Sequence, residues 1–209
     1  LAEEQTHGRG RMARTWVGEK GQTLMFSLVL RPPIRPTDAA KIPLIAGLAL
    51  SRAVEQQTGL DARVKWPNDV LIGNRKLCGV LTEMTAEWDR VEFIVCGIGI
   101  NVNQRAFPKE IENIATSLYL QTGQEQARGH LLLAFLTEFF MYYDMWVKRG
   151  DFTKIVTAYT KRSMLLGEEV VIDLYGKKMA GTCIGFDRDG CLVIERDGKR
   201  KRIVAGDIS

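Results

Sequence analysis

Residues 91–100 read VEFIVCGIGI, apolar at nearly every position and free of proline. A run this short and rich in β-branched residues predicts a strand. Its lack of polar alternation places it at the centre of a sheet covered on both faces. It ends at Asn101-Val102-Asn103, where polar side chains give chemistry a place to sit. Gly97-Ile98-Gly99 looks like part of a nucleotide-binding glycine motif. That motif must open a helix, whereas this one lies inside a strand, so a dinucleotide-binding reading is rejected.

On the N-terminal side come ARVKW (62–66), Pro67-Asn68-Asp69, VLIG (70–73), Asn74-Arg75-Lys76 and LCGVLTEM (77–84), which read as a strand, a tight turn and a hairpin. Residues 23–30 (TLMFSLVL) are apolar and bounded by Gly21 and Pro32-Pro33, predicting another buried strand. Residues 37–58 carry Ile42, Ile45, Leu48, Ala49 and Val54 at helical spacing, with Thr37 or Asp38 as the cap and Gly59 as the stop.

On the C-terminal side, residues 131–147 (LLLAFLTEFFMYYDMWV) predict a core helix whose aromatics pack internally, and residues 152–159 a shorter one. Beyond Leu166-Gly167 the pattern changes to short strands near 170–174, 178–186, 191–195 and 200–204, with turns at Tyr175-Gly176, Asp189-Gly190 and Asp197-Gly198. Strands so short and so closely punctuated predict a small antiparallel barrel or sandwich appended to a larger domain. The boundary falls near Ser163, giving domains of residues 1–163 and 164–209.

At 209 residues, 45% hydrophobic and 26% charged, the chain can bury one good core and a small second unit. No stretch approaches the roughly 18 uninterrupted apolar residues of a membrane span, and no signal-peptide pattern appears, so no membrane partner and a cytoplasmic location are expected. Cys78, Cys96, Cys183 and Cys191 sit in apolar surroundings without CxxC spacing and read as small core residues. His7 and His130 stand apart from each other and from every cysteine, which argues against zinc. The net charge of +4 is mild, but cations concentrate at Arg9, Arg11 and Arg14 and again at Lys199 to Arg202, so anionic ligands are expected. Because the chain opens at Leu1 directly on a polar motif, a segment upstream is also expected.

Two constellations carry chemistry. In the first, Gln5 to Trp16 (QTHGRGRMARTW), Gly8 and Gly10 let the backbone approach a ligand while the arginines face it, an arrangement suited to phosphate or carboxylate. Taken alone, GRGR is equally a solvated basic turn. In the second, Asn68 and Asp69 are presented on a turn and Lys76 on a hairpin beside Gly79. A carboxylate near phosphates can hold Mg²⁺, and a lysine can steady a phosphate or acyl oxygen. Read blandly, Pro-Asn-Asp is good turn chemistry and Arg75-Lys76 are exposed hairpin charges.

GRGR (8–11), KWPND (65–69), RKLCGVLTE (75–83) and GIGINVN (97–103), in that order and spacing, resemble the biotin protein ligases. The resemblance is strong from Gln5 to Asn103 and weaker through Ala115-Thr116-Ser117-Leu118 to the C-terminal strands. It implies an α+β fold, with a class II aminoacyl-tRNA synthetase-like mixed sheet flanked by helices and a small C-terminal SH3-like β-barrel. It implies biotin and ATP with Mg²⁺ as substrates, no tightly bound cofactor, and transfer of biotin through biotinyl-5′-AMP to a lysine of a biotin carboxyl carrier protein.

Residue by residue, the resemblance puts Gln5, Gly8, Arg9, Gly10, Arg11, Lys76, Gly97 and Gly99 at biotin, with Lys76 and Arg11 in catalysis. It puts Arg14, Trp16, Asn68, Asp69 and Asn101 at the adenylate and phosphates, with Asp69 as a candidate Mg²⁺ ligand. The family's Ser/Thr-Thr-Asn segment, due some way before Gln5, is not in this sequence.

Alternatives from the same fold are lipoate ligation, disfavoured by KWPND and RKLCG, and a biotin-responsive repressor or binding module. Nucleic acid is not expected as a partner without an N-terminal DNA-binding domain, and a homodimer is left open. The Lys199 to Arg202 run reads as a solvated strand or part of acceptor docking.

Overall fold

A computed structural model describes residues 1–174 and 176–208. The central sheet comprises β1 (Thr23–Leu30), β2 (Ala62–Lys65), β3 (Asp69–Ile72), β4 (Arg75–Glu87) and β5 (Arg90–Asn101). Their spatial order is β1-β5-β4-β3-β2, so the strand singled out by its apolar sequence does lie inside the sheet. Every ladder is antiparallel, and parallel pairing among the described residues is confined to isolated bridges such as Lys76 with Ala115. This corrects the expectation of a mixed sheet: β2 to β5 are joined by short turns, which allow only antiparallel pairing, and β1 adds to β5 antiparallel as well.

Helix α1 (Lys41–Thr58) and helix α3 (Arg128–Arg149) cover one face of the sheet, while α2 (Leu118–Thr122) and α4 (Thr153–Arg162) are shorter. The anticipated start of the first long helix, at Thr37 or Asp38, falls instead in a separate 3-10 turn over Pro36–Asp38, and α1 follows it without a side-chain cap. Its stop is as expected: Gly59 adopts φ 71° and donates its N–H to the Glu55 carbonyl, a conformation that costs other residues a steric penalty. In α3, Leu131, Phe135, Phe139, Tyr142 and Trp146 fall at helical spacing on the buried side, and Phe135 meets Phe26 of β1 edge-on at 5.3 Å. Glu138 is 8% exposed and joins the two long helices by accepting from Arg52 Nε at 2.9 Å and Gln56 Nε2 at 2.7 Å.

Pairing register divides the sheet into two faces. Leu24, Phe26 and Leu28 of β1 lie opposite Ile100, Ile98 and Cys96 of β5, and these in turn lie opposite Cys78, Val80 and Thr82 of β4. That face carries the core. On the other face, a row crosses the sheet from Asp69 through Gly79 and Gly99 to Met25. Among the described residues the second face is met by the N-terminal segment, through Trp16, and not by α1 or α3, which corrects the expectation that the sheet is covered on both faces around residues 91–100. The apolar run misled because its glycines count as apolar while contributing no side chain to a core.

After α4, β6 (Glu169–Leu174), β7 (Lys177–Phe186), β8 (Leu192–Arg196), β9 (Lys199–Ile203) and β10 (Asp207–Ile208) form a second antiparallel sheet in the order β10-β6-β7-β8-β9. The turn anticipated at Tyr175-Gly176 lies partly outside the described residues, because Tyr175 is not among them. Trp66, whose peptide bond to Pro67 is cis, donates its indole N–H to the Gly190 carbonyl at 3.1 Å, fixing the turn after β2 to this second sheet. All four cysteines are buried and unpaired, as anticipated.

Candidate active site

Adjacent glycines in one cross-strand row leave a trough, because neither strand raises a side chain there. Gly79 and Gly99 are such a pair, and the Trp16 indole lies in the trough. A Cβ at position 99 would sit 2.4 Å from Trp16 Cε2, and one at 79 would sit 3.1 Å from Cζ3. Lys76 reaches over the same floor. Its Nζ lies 2.8 Å from Asp69 Oδ1, an ion pair outside hydrogen-bonding geometry, and 6.0 Å from the Trp16 ring centroid. The Trp16 Nε1 is buried without a partner, an unusual cost for an indole donor.

The segment ahead of Trp16 folds back on itself. Trp16 N–H donates to the Gly8 carbonyl at 3.0 Å and Gly10 N–H to the Arg14 carbonyl at 2.7 Å. Gly8 is required by this fold, since a Cβ there would lie 2.3 Å from the Trp16 carbonyl oxygen. Met12 takes the left-handed conformation, φ 52°, at the tip. The loop thereby walls a cleft of about 800 Å³ lined by Gly8, Arg9, Gly10, Arg11 and Arg14 on one side and by Leu81, Glu83, Asp173 and Gly206 on the other.

Each arginine of the loop meets an acceptor from another element. Arg9 pairs with Glu83 of β4 at 3.2 Å. Arg11 donates to Asn68 Oδ1 at 2.7 Å and to the Gly206 carbonyl at 3.2 Å, with Asp207 Oδ1 at 3.5 Å. Arg14 donates to Asp207 Oδ2 at 2.5 Å. Asn68 in turn donates to the Val80 carbonyl at 2.9 Å, which orients its oxygen towards Arg11.

Of the residues singled out from sequence, the structure thus brings together Gly8, Arg9, Gly10, Arg11, Arg14 and Asn68 at the cleft, and Trp16, Lys76, Asp69 and Gly99 at the trough beside it. Gly97 lies on the same face one row along, without Trp16 against it. Gln5 is exposed and outside the cleft lining, with its side-chain oxygen near Gly8. Asn101 is 4% exposed and its Oδ1 accepts from Gln104 Nε2 at 2.9 Å, in a buried polar cluster with Thr23. Glu83, Asp173, Gly206 and Asp207 escaped the reading. Glu83 sat inside a quoted motif, but nothing local marks the other three.

Cys78 lies beside Lys76, yet burial pushes its thiol well above the ordinary range, so it stays protonated and is no nucleophile. Among the described residues no group of three or more His, Cys, Asp or Glu is placed to hold a metal ion. With Asp69 on Lys76 and Asn68 on Arg11, these residues fit only a cation whose other ligands arrive with a substrate.

The arrangement, cations around an open cleft next to a flat apolar trough, suits a ligand with an anionic end and an apolar body. Comparison with known proteins gives it a context. Residues 1–101 match the biotin/lipoate A/B protein ligase family. The whole chain is 36% identical to the bifunctional ligase/repressor BirA of Bacillus subtilis, of which it spans 64%. It is 31% identical to the biotin--[acetyl-CoA-carboxylase] ligase of Paracoccus denitrificans, of which it spans 88%. Its fold superposes on the biotin protein ligase of Aquifex aeolicus, solved with biotin and ATP, with a TM-score of 0.87 and 33% identity, covering 99% of this chain and 85% of that one. With its motifs in sequence, its sheet and its arginine-walled cleft in agreement, this chain belongs to the biotin protein ligases of the biotin/lipoate A/B protein ligase family.

Proposed function

We propose that this chain activates biotin with ATP and passes the biotinyl group to a lysine of a biotin carboxyl carrier protein. The observation that carries the proposal is the loop of Arg9, Arg11 and Arg14 beside Lys76 on a glycine floor. In the first step a biotin carboxylate oxygen attacks the α-phosphorus of ATP, and the bond to the β-phosphate breaks, giving biotinyl-5′-AMP and pyrophosphate. In the second the ε-amine of the acceptor lysine attacks the acyl carbon, and AMP leaves with the electron pair.

Two anions must meet in the first step, so cations fixed in advance lower its barrier. Arg11 and Lys76 are assigned that work: Lys76 extends over Gly79 to where carboxyl and phosphate oxygens would meet, and Arg11 supports the phosphoryl side. Gln5, Gly8, Arg9, Gly10, Gly97 and Gly99 are assigned to biotin, whose ring system needs the bare backbone that glycines leave. Arg14, Trp16, Asn68 and Asn101 are assigned to the adenylate, Asn101 through its amide nitrogen because its oxygen is engaged by Gln104. Asp69 is the carboxylate offered to the Mg²⁺ that ATP carries, and it must exchange Lys76 for that ion. Packing of the loop across the cleft keeps water from the labile anhydride.

Residues 1–163 form the catalytic unit in this reading, and residues 164–209 a small SH3-like unit, supported by five short antiparallel strands in one continuous order. Among the described residues no helix is long and apolar enough to cross a membrane.

The test is pyrophosphate release from MgATP with biotin or lipoate supplied, using the full gene product that contains this chain. Biotin-dependent release with lipoate silent is expected. Release with lipoate alone would transfer the chain to lipoate ligation. Lys76→Ala is expected to slow biotin-dependent release by about 10²–10³-fold with the circular dichroism spectrum unchanged.

A further inference from the structure

The glycine floor of β5 continues into a polar end. Gly97, Gly99 and Asn101 alternate onto one face of the strand, so Asn101 stands about 7 Å beyond the position where Trp16 fills the trough. Thr23 of β1 is its cross-strand partner on that face. Gln104 reaches back to both: its Nε2 donates to Thr23 Oγ1 at 2.8 Å and to Asn101 Oδ1 at 2.9 Å. All three side chains belong to buried residues.

These two bonds decide which end of the Asn101 amide a ligand can meet. Gln104 holds the oxygen, so the nitrogen is left over. Asn101 Nδ2 meets no acceptor among the described residues and still reaches open space, whereas Gln104 Oε1 is sealed off without a partner. A buried amide with an unsatisfied oxygen is a costly way to fill a core, since an apolar side chain of the same length leaves nothing unpaired. Gln104 is also anchored from both sides. Ser117 Oγ donates to its carbonyl at 2.5 Å and caps α2 by accepting from the Leu120 N–H at 3.1 Å. Next to it, Asn103 exchanges two bonds with the Gln126 backbone, at 2.8 and 3.0 Å. The Gln104 side chain has little freedom to let Asn101 go.

We infer that Gln104 is a positioning residue for the nucleotide: by holding the Asn101 oxygen, it sets that amide with its N–H groups towards an acceptor atom of the adenylate. The inference rests on the ligase reading and deepens it, because Asn101 is assigned there to the adenylate. The terminal torsion of an asparagine is soft, so a lone amide spends part of its time presenting oxygen to an acceptor. Gln104 removes that unproductive state before the nucleotide arrives.

The experiment compares Gln104→Met, near in length but without a donor, with the unaltered full gene product. Gln104→Met is expected to raise the KM for ATP about tenfold while the KM for biotin stays within roughly twofold. In an Asn101→Ala background it is expected to add no more than about twofold, as required if it acts through that asparagine. A readout independent of turnover is the release of preformed biotinyl-5′-AMP, which is expected to quicken about tenfold in Gln104→Met while the release of biotin alone changes within roughly twofold.

An active parent whose Gln104→Met variant keeps the parent's KM for ATP, or loses ATP and biotin affinity in equal measure, overturns the positioning role and leaves the ligase reading standing. A full effect of Gln104→Met in the Asn101→Ala background also overturns it, as does an unchanged release of biotinyl-5′-AMP. A parent that releases no pyrophosphate with biotin overturns the ligase reading and this inference with it. If Gln104→Met unfolds the protein, Thr23→Val decides instead: it removes the other acceptor that steers Gln104, and a rise in the KM for ATP alone is expected.

Discussion

The two sheets have five strands each, antiparallel throughout, yet they divide the work unequally. In the central sheet β4 and β5 run for 13 and 12 residues, and one face is sealed beneath α1 and α3. In the C-terminal sheet β10 has only 2 residues, and β9 exposes Lys199, Arg200, Lys201 and Arg202 in succession. The long strands are rigid because their core face is packed, and that rigidity lets the opposite face dispense with side chains at Gly79 and Gly99 without collapsing. The short strands hold no such trough. What they supply is a set of acceptors, Gly190, Gly206 and Asp207, that reach across to the first sheet's turn and loop.

This contrast can be broken most directly at the core face. Phe135→Ala removes a fully buried ring that meets both Phe26 and Phe139. It is expected to destabilise the protein by about 3–5 kcal/mol in urea unfolding. A loss under 1 kcal/mol would mean that α3 does not seal the sheet.

A smaller effect sharpens the comparison through the thiols. Burial pushes Cys96, on the core face of β5, up to about 12. Its folded value lies above its unfolded one, so the unfolded chain loses that proton first. Stability is then fully present below about pH 9 and falls as pH rises towards 12. At pH 10.5 the penalty is on the order of 2 kcal/mol, and Cys96→Ala is expected to show a shallower alkaline fall in its unfolding midpoint than the unaltered chain. Equal slopes would place Cys96 in contact with water. The smallest effect belongs to β9, where Lys201→Ala is expected to change stability by no more than about 0.5 kcal/mol, because its side chain is exposed and solvated.

Much of this architecture was legible in the sequence because it is local. Helical spacing marked α1 and α3, Gly59 marked an end, and short apolar runs marked β1 and β3 to β5. The loop arginines and Lys76 were legible through their residue types and spacing. What escaped was whatever depends on distant pairing. Residues 91–100 gave no hint that Ile98 and Gly99 face opposite environments of such different character, because alternation between isoleucine and glycine does not register as alternation of polarity. The helix start was displaced from Thr37 to Lys41, with a separate 3-10 turn over Pro36–Asp38 ahead of it. Asp207 could not be found at all: an aspartate after glycine is ordinary, and only the fold brings it to Arg11 and Arg14.

That last contact sets an order of events. Arg11 and the Gly206 carbonyl that receives it are 195 positions apart. A ribosome adding roughly 5–20 residues per second needs on the order of 10–40 s to make the second after the first. During that interval the helices and the long strands can already pack, since their sequence is complete by residue 162. Until then the arginine loop has Asn68 and Glu83 as partners but not Gly206 or Asp207. A nascent chain therefore carries its core well before it carries a finished cleft, and the arrival of β10 closes the assembly.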